Sequence, residues 1–392
     1  MQLRTARIEN YRAIDELELS FLDSRGRVRP MTVLAGPNGS GKTSILFAIT
    51  NALRGPLGYR AEEVPEPDTD DIRLPSASRT AWAKSIPEIR VSLELQFDEQ
   101  EQEAIPELLR IVGMEPPPPL PDGILKVHWV FPPKTQPDGL RDQWWMVSLE
   151  PPFHHVRSWL SARRLAIKAW RVKQPGMYPE LLDSIGGLFF FPQDRNLMQR
   201  VLGRGIESGV RDVDSSVQDD EGERESRLSP GHQRPVLPVT DILRYISDYA
   251  RGRVQAIPDE KNWEKRIQET FHKVCYPKEY LGYLYREDDP LGAPILQNNG
   301  YQYPLSQAAS GEQVILEYIT RLTYPRPFEH SLILIDEPEV HLHPAWTRQL
   351  YLALSELSQT NQFVMCTHSM ELRRRAAEDN ALIELQELEI EA

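Results

Sequence analysis

The spacing of apolar residues predicts a chain that begins with strands. Leu3–Glu9, Ile14–Phe21 and Ile89–Phe97 alternate apolar and polar positions, as strands with one buried face do. Met31–Ala35 and Leu332–Ile335 are continuous apolar runs of strand length, which is typical of strands buried on both faces. The pattern therefore predicts half-exposed and fully buried strands in one chain.

Helical periodicity occupies other segments. Asp98–Val112 is acidic and amphipathic, and Asp98 has the residue type of a helix N-cap. Two more helices are predicted at 239–251 and 259–274. Further strands are predicted at 124–131, 143–149, 187–193, 278–285 and 293–304. Because predicted helices and strands alternate in the last quarter, we expect an α/β fold with a parallel sheet and crossover helices.

Composition agrees with a globular protein in a reducing compartment. Of 392 residues, 40% are hydrophobic and 26% are charged. The net charge of −13 argues against a surface that coats nucleic acid throughout, and leaves a local basic groove open. Cys275 and Cys366 are far apart and outside metal-type spacings. Residues 1–7 lack the apolar core of a signal peptide, and no apolar run approaches the roughly 20 residues of a membrane span, so we expect a cytoplasmic protein.

The residues after the first buried strand match the phosphate-binding loop pattern G-x-x-x-x-G-K-[ST]. The loop consists of Gly36, Pro37, Asn38, Gly39, Ser40, Gly41, Lys42 and Thr43. Its glycines let backbone N–H groups point at a phosphate, Lys42 can reach the β- and γ-phosphates, and Thr43 can give its hydroxyl to Mg²⁺. A helix is predicted from Ser44, with its N-terminus directed at the anion. The loop predicts ATP and Mg²⁺ as ligands; a glycine-rich turn that contains a lysine by chance is the alternative.

Two later strands also end in polar residues. Asp336 follows Leu332–Ile335 and can hold Mg²⁺ through water, while Glu337 can polarise the water that attacks a γ-phosphate. Phe363–Ser369 is a second apolar strand that ends in Thr-His-Ser. A strand that runs into an acidic turn, and a structural histidine at 368, are the alternatives. Together with the phosphate loop, both strands favour a nucleotide site.

At this point the chain resembles the ABC-type ATPases. Within them it is similar to the RecF/SMC-like branch, which includes the OLD-family and AAA_15/AAA_21 ATPases of prokaryotic phage-defence systems. The resemblance covers about 1–54 and 300–370, and is carried by the opening Arg7–Ile14, by Ser310–Gln313 and by Glu337–Pro344 together with the phosphate loop. It implies an ABC ATPase head, a P-loop NTPase with a mixed α/β core sheet, an antiparallel β-lobe, a helical insertion and no long coiled coil.

The resemblance also implies roles for residues outside the loop. Arg12 would approach the nucleotide. Ser310, Gly311 and Glu312 would form a signature motif at a helix start, which contacts the γ-phosphate held by a second subunit. The Ser hydroxyl and Gly N–H suit an anion at that position.

Two further site residues follow from the same resemblance. His368 would be the switch histidine near the γ-phosphate. Gln193, after the predicted strand 187–193, would be the glutamine that senses Mg²⁺ and water, so Mg²⁺ would be held by Thr43, Asp336 and Gln193.

A short histidine-rich segment has a second interpretation. Glu339, His341 and His343 could bind zinc. The segment is similar to E-P-E-x-H-L-H-P in the same ATPase branch, and no fourth zinc ligand is evident, so the non-metal interpretation is favoured.

Residues 153–173 form a basic segment with interleaved tryptophans, and a helix is predicted there. The residues concerned are Arg157, Trp159, Arg163, Arg164, Lys168, Trp170, Arg171 and Lys173. Such a segment can bind a nucleic-acid backbone and stack on bases. A solvated helix with its tryptophans packed inward, or a surface for an acidic partner, are the alternatives.

The expected organisation is an N-terminal ATPase lobe at 1–115, a β and helical insertion at 116–300 with a mobile linker near 207–235, and a C-terminal ATPase lobe at 301–392. The expected function is an ATPase that forms a head-to-tail dimer or a larger homo-oligomer and serves as sensor or scaffold of an anti-phage system. Since the chain ends soon after His368, the effector, a nuclease or toxin, is expected on a separate chain. The alternatives are a RecF-like DNA repair or recombination ATPase and a nucleotide-locked scaffold with negligible turnover.

Overall fold

The structure is a computed structural model, and two compact units make up the chain. The first unit comprises 1–193, 328–338 and 358–392, and the second comprises 194–327 and 339–357. The residues that the structure describes are 1–57, 88–111, 113–131, 146–147, 153–162, 184–193, 239–250, 263–286, 289–323, 329–357 and 360–386. The division into three sequence segments stays a prediction.

The described residues form thirteen strands and eight α-helices. The strands are β1 (Gln2–Tyr11), β2 (Ile14–Ser20), β3 (Met31–Ala35), β4 (Ile89–Gln96), β5 (Ile124–Phe131), β6 (Met146–Val147), β7 (Leu188–Phe191), β8 (Glu279–Arg286), β9 (Asp289–Asn298), β10 (Tyr301–Pro304), β11 (Leu332–Asp336), β12 (Gln362–Thr367) and β13 (Leu382–Glu384). The helices are α1 (Lys42–Leu57), α2 (Glu99–Ile111), α3 (Phe153–Leu160), α4 (Val239–Ala250), α5 (Trp263–Cys275), α6 (Ser310–Thr323), α7 (Pro344–Leu357) and α8 (Met370–Glu378).

A parallel sheet lies at the centre of the first unit. Its strand order is β13-β3-β12-β11-β7, and every pairing is parallel. All residues of β3, β11 and β12 are buried, which explains their continuous apolar sequence. Thr367 lies opposite Ala35, and Asp336 lies opposite Cys366. The carboxyl ends of the central strands therefore meet at one edge of the sheet.

An antiparallel sheet completes the first unit. Its order is β2-β1-β4-β5-β6. Strand β4 alternates buried and more exposed side chains as the sequence predicts, whereas a bulge between Leu3 and Thr5 interrupts the predicted alternation in β1, and β2 alternates only in part. Helix α1 packs against strands of both sheets. Its residues Ile45, Leu46, Ile49 and Leu53 are fully buried, and each such side chain contributes roughly 1.5–3 kcal/mol of hydrophobic free energy. Burial of α1 between two sheets thus fixes the helix that begins at the phosphate loop.

The second unit combines a small sheet with helices. Strands β8, β9 and β10 form an antiparallel sheet in the order β10-β9-β8. Helix α6 is buried along nearly its whole length, because α4, α5 and α7 pack around it. This packing fixes the helix that begins at Ser310.

Most predicted elements are confirmed in the described part of the chain. Helix α2 begins after Asp98, whose Oδ1 accepts a hydrogen bond from the Glu101 N–H at 2.9 Å, as an N-cap does. The strand predicted at 143–149 is described only at Met146–Val147, and the helix predicted from 153 begins as α3. The linker near 207–235 and the basic residues from 163 to 173 lie outside the described residues.

The ATPase-head architecture predicted from the resemblance is confirmed: a parallel core sheet joins an antiparallel sheet, and helices follow in the second unit. Within the described ranges the longest helix is α1, with 16 residues, so these ranges contain no long coiled coil. None of the described helices has both the length and the apolar character that a membrane span requires.

Candidate nucleotide site

The phosphate loop connects β3 to α1 at the carboxyl edge of the parallel sheet. Gly39 and Gly41 have φ values of 82° and 79°, a left-handed conformation that residues with a β-carbon rarely adopt. Lys42 is only 5% exposed, and its Nζ donates to the carbonyl oxygens of Gly36 at 3.0 Å and Pro37 at 2.8 Å. The lysine side chain therefore folds back over the loop and brings its charge to the mouth of a backbone cradle.

Thr43 and Asp336 meet beside the loop. The Thr43 Oγ1 donates to the Asp336 Oδ1 at 3.1 Å, and Asp336 is buried at the end of β11. Hydroxyl and carboxylate oxygens are the hard donors that Mg²⁺ prefers, and neither a thiolate nor an imidazole belongs to this pair. The residues at this point fit Mg²⁺.

Two predicted site residues, Gln193 and His368, face the carboxylate of a third, Glu337. Gln193 Nε2 donates to Glu337 Oε2 at 2.9 Å, and His368 Nε2 lies 3.3 Å from Glu337 Oε1. The Glu337 N–H donates to the carbonyl of Cys366 at 2.9 Å, and Glu337 adopts a φ of 47°. The side chains of Glu337 and His368 are 16% and 36% exposed, so a water molecule can reach the carboxylate. Their catalytic roles stay predictions.

The neighbouring strands explain why these residues meet. Gln193 follows β7, Glu337 follows β11 and His368 follows β12, and these three strands are adjacent and parallel. Side chains that follow the carboxyl ends of adjacent parallel strands face the same crevice. Gln193 and Glu337 are 144 positions apart in the sequence, which hides this proximity.

Arg12 lies in the turn between β1 and β2. It has a φ of 51°, and its guanidinium lies 4.7 Å from the centroid of the Phe47 ring on α1 and 5.5 Å from that of Tyr11. Arg12 thus makes a cation–π contact with the helix that begins at the phosphate loop. Its contact with a nucleotide stays a prediction.

One residue of this site was missed at the sequence level. The Cys366 Sγ lies 3.2 Å from the carbonyl oxygen of Lys42, while the Cys366 carbonyl accepts the N–H of Glu337. Cys366 therefore joins the phosphate loop to the strand that carries Asp336. Only its place two residues before His368 on an apolar strand could have indicated this role.

The signature motif opens α6 in the second unit. Ser310 is the first residue of the helix, and the helix N-terminus provides free N–H groups. A β-carbon at Gly311 would lie 2.7 Å from the His341 carbonyl oxygen, so glycine is required there. Glu312 is buried and its Oε2 accepts the Ala309 N–H at 2.7 Å. Direct contact of Glu312 with a nucleotide stays a prediction that this burial does not favour.

Two other predicted features have identifiable surroundings. His343 Nδ1 accepts the Ala345 N–H at 3.2 Å and so caps α7. Among the described residues the set whose three ligand atoms lie close enough for a metal is Asp98, Glu101 and His330, which does not include His343. Trp159 is buried against Phe97, as the inward-packing alternative for the basic segment predicts.

Comparisons with known proteins agree with this geometry. Residues 211–374 match the family described as "AAA domain, putative AbiEii toxin, Type IV TA system", and residues 6–111 match a family described as "AAA domain". The "Retron Ec83 probable ATPase" of Escherichia coli is 32% identical over 85 residues. That alignment spans 19% of this chain and 16% of the relative.

Two of the solved structures that match this chain are heads of SMC proteins. The SMC head bound to the C-terminal winged-helix domain of ScpA has a TM-score of 0.53 and 13% identity, with 98% of this chain and 94% of that chain covered. The Smc head with an extended coiled coil, bound to the C-terminal domain of ScpA from Pyrococcus furiosus, has a TM-score of 0.48 and 13% identity, with 98% and 93% covered. The chain is thus similar in sequence to AAA domains over two parts of its length, and its fold is similar to that of an SMC head.

Proposed function

We propose that this chain binds and hydrolyses ATP with Mg²⁺ and that two copies close head-to-tail around the nucleotide. The observation that carries the proposal is the convergence of Gln193, Glu337 and His368 next to Thr43 and Asp336, at the edge of the sheet where the phosphate loop begins. A phosphate cradle, a hard-oxygen pair for a metal and a carboxylate that faces a glutamine amide and an imidazole suit phosphoryl transfer to water.

The residues would divide the chemistry among them. Lys42 would place its positive charge against the β- and γ-phosphates, and Thr43 and Asp336 would hold Mg²⁺, which when bound neutralises charge that develops on the phosphates. Glu337 would accept a proton from the attacking water. Gln193 and His368 would keep the Glu337 carboxylate turned toward that water, since each faces a different oxygen of it.

The signature motif would complete the site in trans. Ser310 and Gly311 lie at the N-terminus of α6, where N–H groups can receive the γ-phosphate held by a second copy. Arg12, and Ser44 directly after the phosphate loop, are the remaining nucleotide contacts that we expect. Glu312 is buried and accepts the Ala309 N–H, so we assign it to support of the signature motif and not to contact with the nucleotide.

The biological role that we propose is in prokaryotic defence. It rests on the family described as a putative AbiEii toxin and on the similarity to a retron ATPase. A separate effector chain is expected, and the SMC head described as bound to a ScpA domain is an example of a similar fold with a second polypeptide.

Steady-state ATP hydrolysis with and without duplex DNA tests the proposal, with Glu337→Gln as the control. Turnover that needs Mg²⁺ and is lost in Glu337→Gln is the expected result. A rate that DNA raises would favour a DNA-dependent role, and turnover equal to that of Glu337→Gln would favour a nucleotide-locked scaffold.

Molecular mass in solution tests the dimer. With ATP, the slowly hydrolysing Glu337→Gln variant should double in mass by light scattering, and Ser310→Arg in the same background should remain a monomer. A monomer that hydrolyses ATP at full rate, with Ser310→Arg harmless, would contradict the head-to-tail arrangement.

A further inference from the structure

A buried carboxylate lies at the base of the signature motif. Glu312 is 2% exposed, and its Oε1 accepts a hydrogen bond from the Tyr303 hydroxyl and forms an ion pair with the Lys278 Nζ at 3.0 Å. Its Oε2 accepts the Ala309 N–H at 2.7 Å, one residue before Ser310. This carboxylate therefore fixes the backbone turn through which the chain enters α6.

Lys278 is the cation that faces this carboxylate. Its side chain is 22% exposed, and its Nζ also lies 5.0 Å from the centroid of the Trp346 ring, within the range of a cation–π contact. Its backbone is tied to the end of α5, since the Lys278 N–H donates to the Cys275 carbonyl at 3.0 Å. The backbone of Lys278 is thus fixed by Cys275 and its ammonium group by Glu312 and Trp346, unlike a freely mobile surface lysine.

Trp346 brings a second segment to the same turn. A β-carbon at Gly311 would lie 3.3 Å from Trp346 Cζ3 and 2.7 Å from the His341 carbonyl oxygen. The indole therefore lies beside the signature glycine and faces the Lys278 ammonium. Lys278, Tyr303, His341 and Trp346 therefore all lie around the signature turn.

Tyr303 is a permanent donor in this arrangement. Burial raises the pKa of the Tyr303 hydroxyl, and its bond to Glu312 raises the pKa further, so the hydroxyl stays protonated at physiological pH. Removing Lys278 would leave Glu312 with neutral donors and an uncompensated buried charge, which is costly.

We propose that Lys278 is a positioning residue for the signature motif: it neutralises Glu312 and, with Trp346, holds the turn that presents Ser310 and Gly311 to an anionic phosphate on a second copy of the chain. The inference rests on the head-to-tail dimer of the proposed function. Glu312 lies two positions from Ser310 in the sequence, and its unneutralised charge would repel an incoming triphosphate, because Coulomb forces in a partly buried site are weakly screened.

Five variants test the charge argument. Lys278→Met strands the Glu312 charge, Lys278→Arg restores a cation, and Lys278→Met with Glu312→Gln removes both charges. Tyr303→Phe removes a donor and keeps the charges. Lys273→Met is the matched control, because Lys273 is a half-exposed lysine on α5 that pairs with Glu356.

The readouts are kcat, the Kd for an ATP analogue at micromolar protein without Mg²⁺, and ATP-dependent mass in the Glu337→Gln background. We expect Lys278→Met to lower kcat at least about tenfold and to weaken dimerisation, with the Kd of the monomer for the analogue within about twofold of the parent. Lys278→Arg should stay within about threefold of the parent, and the double variant should recover most of the loss.

The outcomes separate the two proposals. A parent that forms no dimer with ATP overturns the proposed function and this inference with it. A parent that dimerises while Lys278→Met dimerises and turns over equally well overturns only the inference. A double variant as impaired as Lys278→Met, with Lys278→Arg also impaired, also overturns it, because a purely steric role for Lys278 would then account for the loss. If Lys278→Met does not fold, the variant that combines Lys278→Met with Glu312→Gln decides, together with Tyr303→Phe. A folded double variant with near-parental kcat supports charge neutralisation. A folded but inactive double variant contradicts it.

Discussion

Removal of the two side chains that face the Glu337 carboxylate, Gln193 and His368, gives the sharpest test of this candidate catalytic group. Gln193→Ala deletes the 2.9 Å hydrogen bond to Oε2, and His368→Ala deletes the 3.3 Å contact to Oε1. A hydrogen bond to a charged group contributes about 1.5–3 kcal/mol when buried. Gln193 is exposed, so about 1 kcal/mol is the appropriate value, and we expect roughly a fivefold loss of kcat from Gln193→Ala.

The variant that combines Gln193→Ala with His368→Ala shows whether the two side chains act jointly on Glu337. Gln193 and His368 both contact the Glu337 carboxylate. After one is lost, the carboxylate can rotate, and the other side chain no longer fixes it. The two losses should therefore not multiply, and the coupling free energy should be about 0.5–1 kcal/mol. Loss of His368 alone should cost at least as much as loss of Gln193, because the resemblance also places His368 near the γ-phosphate.

Phosphate release at saturating ATP is the assay, and the Kd for nucleotide is measured alongside it. Gln96→Ala is the control, because Gln96 is a glutamine on β4 that contacts Arg4 in the antiparallel sheet. Unchanged kcat in Gln193→Ala, or losses that multiply in the double variant, would refute the view that these side chains act jointly through Glu337.

Three further predictions concern packing and charge. Gly311→Ala should lower stability by about 1–3 kcal/mol in urea titrations, because the added methyl group meets a backbone carbonyl at 2.7 Å that cannot move away; an unchanged midpoint would contradict this close contact. Trp159→Ala should cost about 3–5 kcal/mol, measured by the same titration, because Trp159 is 2% exposed and packs on Phe97 with ring centroids 5.4 Å apart. Burial alone would raise the pKa of Asp98, but hydrogen bonds from His330 and the Glu101 N–H bring it below its ordinary value of 3.8. The stability that Asp98 contributes is therefore present above about pH 4 and is lost as the pH falls through the lower folded pKa. In Asp98→Asn, the urea midpoint should depend less on pH in the acid range than it does in the parent. An identical acid dependence of the midpoint in both proteins would exclude this effect.

Much of the local structure could be predicted from the sequence, because it depends on neighbouring residues. The alternation in Ile89–Phe97 follows from one buried face, and the continuous apolar run Leu332–Ile335 follows from burial on both faces. The phosphate loop was predictable because its glycines and Lys42 act within a few residues of one another. The signature motif and Glu337 needed the additional resemblance to a known family, since short motifs alone are weak signals.

Other parts of the site depended on the order of the strands. Gln193 was the least distinctive prediction, because a glutamine after a strand is common in sequences. It reaches Glu337 only because β7 lies beside β11 in a parallel register. The bond of Cys366 to Lys42 arises in the same way from the pairing of β12 with β3.

The sequence by itself determined the buried strands, the phosphate-binding loop and the class of chemistry that we propose, since those depend on residue type and on spacing along the chain. Only the tertiary structure decided which carboxylate the glutamine and the histidine share, and that Lys278 neutralises Glu312 beneath the signature motif. The physical reason is that hydrogen bonds and charge pairs act over about 3 Å in space, whereas the packing of sheets and helices that brings such groups together joins segments far apart in sequence.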